Sequence, residues 1–168
     1  MSVTPASAHL FSLIKTDNHE VTCTSNKNWD HDFNYWNHFV FYQQRDHYDW
    51  RTDLVTVQQP RRVWNNSTDV VWHADALGDW TNGDEICKVV VWYNGRCDRA
   101  EVRFNQALTG RLGHIGGFRL ACHELGHAYG FDHNTDGNCM STDLPDVNNL
   151  PLPAQINQQV IDHINAQY

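Results

Sequence analysis

The stretch that decides the fold is His123-Glu124-Leu125-Gly126-His127-Ala128-Tyr129-Gly130-Phe131-Asp132-His133. Residues four apart on a helix lie on one face, about 6 Å apart along the axis, so His123 and His127 can direct their imidazoles to one point. Gly130 can adopt a positive φ, which ends the helix and turns the chain. The pattern therefore predicts a helix that presents two histidines and a turn that returns His133 toward them.

Three neutral imidazoles are a ligand set that zinc takes in proteins, and catalytic sites keep a fourth position for water. Glu124 follows the first histidine, so its carboxylate is directed toward that water rather than onto the metal. As general base, Glu124 would take a proton while the zinc-bound water attacks a carbonyl, and would then pass it to the leaving amine. The sequence thus predicts one catalytic Zn²⁺ held by His123, His127 and His133. The alternative is a helix with two satisfied histidines and an unrelated third.

The spacing HExxHxxGxxH, followed by Asn138-Cys139-Met140-Ser141, resembles the signature of the metzincin clan of zinc peptidases, in which a Met-turn follows the third histidine. The resemblance covers residues 123 to about 141 and is closest to the matrixin-like or small bacterial secreted branches. It implies a zincin-like fold, endopeptidase activity, and Met140 as a hydrophobic floor under the metal. Met140 could instead be a core methionine with no link to the site.

Length and composition indicate one globular domain, since 168 residues with 40% apolar content suit a single core. We expect a flexible N-terminal arm at 1–18 and a single metallopeptidase catalytic domain at 19–168. The net charge of −8 argues against a nucleic-acid partner. No apolar run approaches the roughly 20 residues that a membrane helix needs. The expected partner is a polypeptide substrate, and the expected state is a monomer.

The five cysteines contain no CxxC pair, which makes a thiolate zinc site the less favoured interpretation. Cys87 and Cys97 bracket a segment with an Asn94-Gly95 turn, which predicts a strand turning back on a disulfide-closed loop. If the Met-turn lies under the helix, Cys122 and Cys139 come within disulfide range, with two small buried thiols as the alternative. The count is odd, so at least one cysteine is free or pairs between chains, and Cys23 is the candidate.

Disulfides favour an extracellular, secreted protein. The N-terminal residues 1–6 lack the charged start and apolar core of a signal peptide. We therefore expect a mature domain with an added Met rather than an intracellular chain.

Apolar periodicity predicts the other elements. A helix is expected from Asn28 to about Arg45, another from about Gly117 to Tyr129, and a last one from near Pro153. Their apolar faces comprise Trp29, Phe33, Trp36, Phe39, Val40 and Tyr42 in the first, and Ile156, Val160, Ile161 and Ile164 in the last. Strands are expected at Glu20–Thr24, Leu54–Val57, Asp69–Trp72, Lys88–Trp92 and Ala100–Phe104. This order predicts an α+β fold with a twisted, mostly parallel or mixed sheet.

A protease that accepts many sequences can bind its substrate as an added strand on an exposed sheet edge. Ala100–Phe104 is the candidate edge, with Val102 and Phe104 as substrate-binding residues. In matrixin-like families the segment after the Met-turn walls the pocket just beyond the cut, which here implies Leu144 and Pro145 and an uncharged substrate residue. That segment could equally be a linker.

Two further functions remain open. One is a narrow-specificity zinc hydrolase, toxin-like or directed at peptidoglycan. The other is a catalytically inactive zinc-binding module, which the presence of Glu124 disfavours. Trp72-His73-Ala74-Asp75 resembles the start of the matrixin structural zinc site, but the companion histidines and the Gly-rich calcium loop are not recognisable. An ordinary strand-end histidine is the preferred interpretation, so an additional structural Ca²⁺ or Zn²⁺ is without support.

Overall fold

The structure of the protein is a computed structural model. It describes residues 19–24, 31–49, 55–58, 69–79, 81–90, 97–133, 138–141 and 156–167. Several sequence-based predictions fall wholly or partly outside these residues: the arm at 1–18, the pocket residues Leu144 and Pro145, Trp29 of the first helix, Leu54 of the second strand, Trp92 of the fourth, and the beginning of the last helix near Pro153.

The described chain forms five strands and three α-helices. In order these are β1 (His19–Thr24), α1 (His31–Gln43), β2 (Val55–Gln58), β3 (Val70–Asp75), β4 (Gly83–Val90), β5 (Cys97–Asn105), α2 (His114–Ala128) and α3 (Gln158–Gln167). A π-helical turn extends α1 over Gln44–Asp49, and a 3-10 turn, Gln106–Leu108, follows β5. The predicted α+β class and the three predicted helices are confirmed.

The sheet has the strand order β2-β1-β3-β5-β4. The first four of these strands are parallel to their neighbours, whereas β4 runs antiparallel to β5 at the end of the sheet. A mostly parallel, mixed sheet was expected from the sequence and is confirmed.

The prediction that Ala100–Phe104 is the exposed edge is wrong. The strand that contains it, β5, lies between β3 and β4 and is paired on both sides. The side chains of Val102 and Phe104 are fully buried, so neither can contact a substrate. Apolar and polar residues alternate along β5 because one face of the strand is covered by helices and the other is partly exposed. This alternation is the same in an inner strand and in an edge strand, so it does not distinguish them.

Among the described strands, the edge strand next to β5 is β4, which begins five residues earlier than predicted, at Gly83. The sequence pattern missed this beginning because Asp84 and Glu85 interrupt the apolar run. Glu85 pairs with Val102 of β5, and paired residues project on the same face of a sheet. Glu85 therefore lies on the helix-covered face, where an apolar residue would be expected.

The hydrophobic core lies between that face and the helices. Trp36 of α1 stacks on Phe104, with ring centroids 4.5 Å apart and an interplanar angle of 7°. Burial of such side chains contributes about 1.5–3 kcal/mol each. The expected apolar faces of the first and last helices are buried at Trp36, Phe39, Val40, Ile156, Val160, Ile161 and Ile164.

Two disulfides staple the domain, and both were predicted. Cys87–Cys97 joins β4 to β5 with a Cα–Cα distance of 5.6 Å. Cys122–Cys139 joins α2 to the turn at 138–141 with a Cα–Cα distance of 5.9 Å. Both indicate an oxidising, extracellular environment. The backbone of Cys23 lies in β1, but its side chain is outside what the structure describes.

No helix among the described residues is long and apolar enough to cross a membrane.

The turn at 138–141 packs directly against α2. The backbone amide of Met140 donates to Oδ1 of Asn138 (2.8 Å), and that of Ser141 donates to the Asn138 carbonyl (3.1 Å), which closes the turn. Met140 is fully buried beneath the helix. A Cβ built at Gly126 would lie 2.2 Å from Sδ of Met140, so only glycine allows this approach.

We predict that Gly126→Ala destabilises the protein although alanine is the better helix former. Because Met140 is fully buried against the helix at Gly126, the added methyl overpacks the core and should cost about 1–3 kcal/mol. Chemical denaturation measures this, with Gly113→Ala as the control because a Cβ at Gly113 meets no atom within 4 Å. A Gly126→Ala variant as stable as the control would contradict the packing described here.

Candidate metal centre

Helix α2 ends in a Schellman motif, which returns the chain toward the helix. Gly130 has φ of 96°, the left-handed value that glycine accommodates without strain. The amide of Phe131 donates to the carbonyl of Gly126 (2.9 Å), and the amide of Gly130 donates to that of His127 (3.0 Å). The turn brings His133 beside the two helical histidines.

The Nε2 atoms of three histidines form a nearly equilateral triangle. The separations are 3.1 Å for His123–His127, 3.1 Å for His123–His133 and 3.2 Å for His127–His133. They are the one group of three metal-ligating side chains within the described part of the chain. The sequence predicted this convergence from the spacing alone.

Backbone carbonyls fix the tautomer of two of the three rings. Nδ1 of His123 lies 2.7 Å from the Cys139 carbonyl, and Nδ1 of His127 lies 2.7 Å from the Phe131 carbonyl. A carbonyl oxygen can only accept, so each Nδ1 carries the proton and each Nε2 presents a lone pair. Two lone pairs 3.1 Å apart repel each other unless a cation lies between them. The arrangement is thus built for a positive ion.

Burial keeps these imidazoles neutral. It lowers the pKa of His123 to about 4, and the neighbouring His127 and His133 add to the shift. Burial likewise lowers the pKa of His127. A neutral imidazole is the form that binds a metal, so these two shifts favour the metal-binding form of His123 and His127.

The spacing of the nitrogens fits a small divalent ion. Ligand nitrogens around a tetrahedral zinc with 2.0–2.1 Å bonds are about 3.3 Å apart, close to the 3.1–3.2 Å found here. Imidazole also suits copper, iron and nickel, so the donor set admits several divalent ions.

Glu124 follows His123 on α2, and its carboxyl lies against the beginning of β4. Its side chain is only 3% exposed. A Cβ built at Gly83 would lie 2.6 Å from Oε1 of Glu124, so the carboxyl packs against the bare backbone of the edge strand. Burial, helped by the charges of Asp84 and Glu85, raises the pKa of Glu124 to about 8. A carboxyl tuned in this way both accepts and returns a proton near neutral pH.

His73, the other histidine of interest, lies on β3 and is 1% exposed. Its Nε2 is 3.5 Å from Oε1 of Glu101 and 3.6 Å from Oδ2 of Asp75. Lys88 forms an ion pair with the second oxygen of Glu101. These groups lie together on the face of the sheet away from the helices, and the two distances from His73 to the carboxylates are longer than ordinary hydrogen bonds.

Sequence reasoning missed three residues near the triangle. Gly83 and Glu85 were missed because their strand was placed too late in the chain. Arg119 was missed because it was counted within the helix without regard to its face. It precedes His123 by four residues, and this i, i+4 spacing is the signal that could have found it.

A comparison with protein-family models and a comparison with characterised proteins each found no match. The function is therefore inferred from the three histidines and the residues around them.

We predict that the protein binds one divalent metal per chain. His127→Ala should lose affinity by more than the 10–100-fold that changes to residues around metal ligands typically cost. Competition with a chromogenic zinc chelator measures this, and His114→Ala is a matched control because His114 is exposed at the beginning of α2. Equal affinities of the two variants would rule out the triangle as the metal site.

Proposed function

We propose that the protein is a zinc-dependent endopeptidase of the metzincin type. The observation that carries the proposal is the triangle of three Nε2 atoms, together with the buried carboxyl of Glu124, the residue that follows the first of these histidines. The Schellman turn after α2 and the Met140 turn under it support the resemblance seen in the sequence. A zincin-like fold is part of the same proposal.

His123, His127 and His133 would hold the zinc through Nε2. When bound, the ion supplies a Lewis acid that polarises a carbonyl and lowers the pKa of water. The carbonyls of Cys139 and Phe131 orient the first two rings, and such outer partners raise the basicity of the ligand nitrogen.

Glu124 would act as the base. Its carboxylate takes the proton of the attacking water, and the same carboxyl then gives that proton to the nitrogen of the leaving amine. The low exposure of Glu124 keeps bulk water from competing for the proton. The role is the one that the sequence suggested for this residue.

The substrate would lie along β4. This strand is hydrogen-bonded to β5 on one side and is the last strand of the sheet, so an extended peptide can add to its other side. Gly83 places the beginning of the strand against Glu124, which puts a peptide on β4 close to the base. This replaces the edge predicted at Ala100–Phe104.

A polypeptide substrate outside the cell fits the remaining observations. The two disulfides suggest an oxidising compartment. Secretion and action on a polypeptide as a monomer are parts of the proposal. Digestion of a random peptide pool, with and without a chelator, tests the proposal as a whole, because an endopeptidase dependent on zinc cuts only in the absence of chelator.

We predict that Glu124→Gln lowers peptide hydrolysis by about 10²–10⁴-fold, the usual cost of losing a general base. The metal content of the variant should be unchanged, because Glu124 is not one of the three proposed metal ligands. Asp98→Asn is the control for the lost charge, since Asp98 is exposed on β5. Activity within a few-fold of the wild type would assign the proton transfer to another group.

We also predict that Gly83→Ala lowers hydrolysis by at least about tenfold while metal binding persists. The new Cβ would displace the carboxyl of Glu124, and misplacing a catalytic group by about 1 Å can cost on the order of 10²-fold. Metal affinity and cleavage rate are measured on the same preparation, with Gly113→Ala as the matched control. If Gly83→Ala cleaves as fast as that control, Glu124 does not depend on this contact.

A further inference from the structure

Arg119 is a buried cation on the active-site helix. It is 5% exposed, although arginine is rarely this buried unless it is paired. Its Nε and Nη1 atoms are buried and donate to no acceptor among the residues that the structure describes. Burial lowers the pKa of Arg119, yet a guanidinium keeps its charge in proteins.

A buried charge without an acceptor is costly. Removing one partner of a buried ion pair is strongly destabilising, because the other charge is left uncompensated. Buried donors that lack a partner in a native structure call for an explanation, such as an ion or a functional role. Arg119 therefore calls for an anion.

The helical register places Arg119 on the face of α2 that carries His123. Arg119 precedes His123 by one helical turn, so the two side chains lie on the same face of α2. Its charge is one of the causes that lower the pKa of His123, which places the guanidinium within electrostatic reach of the ligand. Two carboxylates of the described residues pair with other cations, Asp84 with Arg103 and Glu101 with Lys88.

We propose that Arg119 binds a carboxylate of the substrate beside the scissile bond. The enzyme would then prefer peptides with an acidic side chain, or with a free C-terminal carboxylate, at the position that reaches Arg119. Guanidinium pairs with carboxylate through two parallel hydrogen bonds, which add geometric selectivity. This replaces the uncharged preference expected from Leu144 and Pro145, and it depends on the proposed peptidase function.

The first experiment is a cleavage profile on a peptide pool. The wild-type protein should favour Asp and Glu over Asn and Gln at one position relative to the cut by about tenfold or more, as expected for a charge-assisted hydrogen bond. Arg119→Met should lose this preference, Arg119→Lys should keep part of it, and Arg111→Met is the control at an exposed arginine. Amidated and free C-terminal peptides separate a side-chain carboxylate from a terminal one.

A profile that is the same for Arg119→Met and the wild type would overturn the proposal. So would a wild-type profile with no preference for acidic residues. Thermal unfolding of each variant shows whether a lost preference reflects loss of the fold. If Arg119→Met is unfolded, the cleavage profile of Arg119→Lys decides whether the preference depends on this side chain.

The second experiment does not depend on activity. In a ¹H–¹⁵N spectrum of Glu124→Gln, the Nε–Hε signal of Arg119 is assigned from its loss in Arg119→Lys. Acetate should shift it saturably, acetamide should not, and the signal of Arg111 should shift less. No response to acetate would overturn the proposal. A large change of the Arg119 signal in Asp143→Asn or Asp146→Asn would also overturn it, because that change would identify an acceptor within the chain.

The two experiments also separate failure of this proposal from failure of the proposed function. If no peptide in the pool is cut, the peptidase proposal fails, while the acetate titration still decides whether Arg119 is an anion site.

Discussion

The approach of the 138–141 turn to α2 is the contact on which the rest of the site depends. It is tight because Gly126 has no side chain, so Met140 lies against the helix backbone. The disulfide Cys122–Cys139 holds the same two elements together, and the carbonyl of Cys139 accepts from Nδ1 of His123. One interface therefore combines packing, a covalent link and the orientation of a ligand ring. Losing the packing would also disturb the ring, since both depend on the position of one turn.

The sequence predicted those parts of the structure that depend on short-range pattern. The i, i+4 spacing of His123 and His127 and the glycine at 130 specify a helix, its end and a return turn, and all three are local in the chain. The pairing of Cys122 with Cys139 is less local, but it followed from assuming that the turn lies under the helix. The helical periodicity around Trp36 likewise identified a core face, because burial of one face is what such spacing reflects.

The parts that the sequence did not predict depend on which neighbour covers a segment. Alternation in β5 was correct as a pattern, but pairing by β3 and β4 on both sides made an inner strand of a predicted edge. Glu85 interrupts an apolar run, yet it lies on the helix-covered face opposite Val102. The burial of Arg119 was missed for a similar reason, because an interpretation from hydrophobic periodicity assigns charged residues to the exposed face of a helix. In each case the deciding contact joins residues far apart in sequence, and no local pattern contains it.

Buried and neighbouring charges also explain how a raised carboxyl pKa and a lowered imidazole pKa occur within one small site. On the β4 side, burial and the carboxylates of Asp84 and Glu85 raise the pKa of Glu124, which favours a carboxyl that can hold a proton. On the other side, burial and neighbouring cationic forms lower the pKa of His123, which favours a free lone pair. Desolvation is the largest cause of both shifts, and it acts in opposite directions because it always disfavours the charged form. Burying the whole group thus favours a protonated carboxyl at Glu124 and a neutral imidazole at His123, and the surrounding charges add to both shifts.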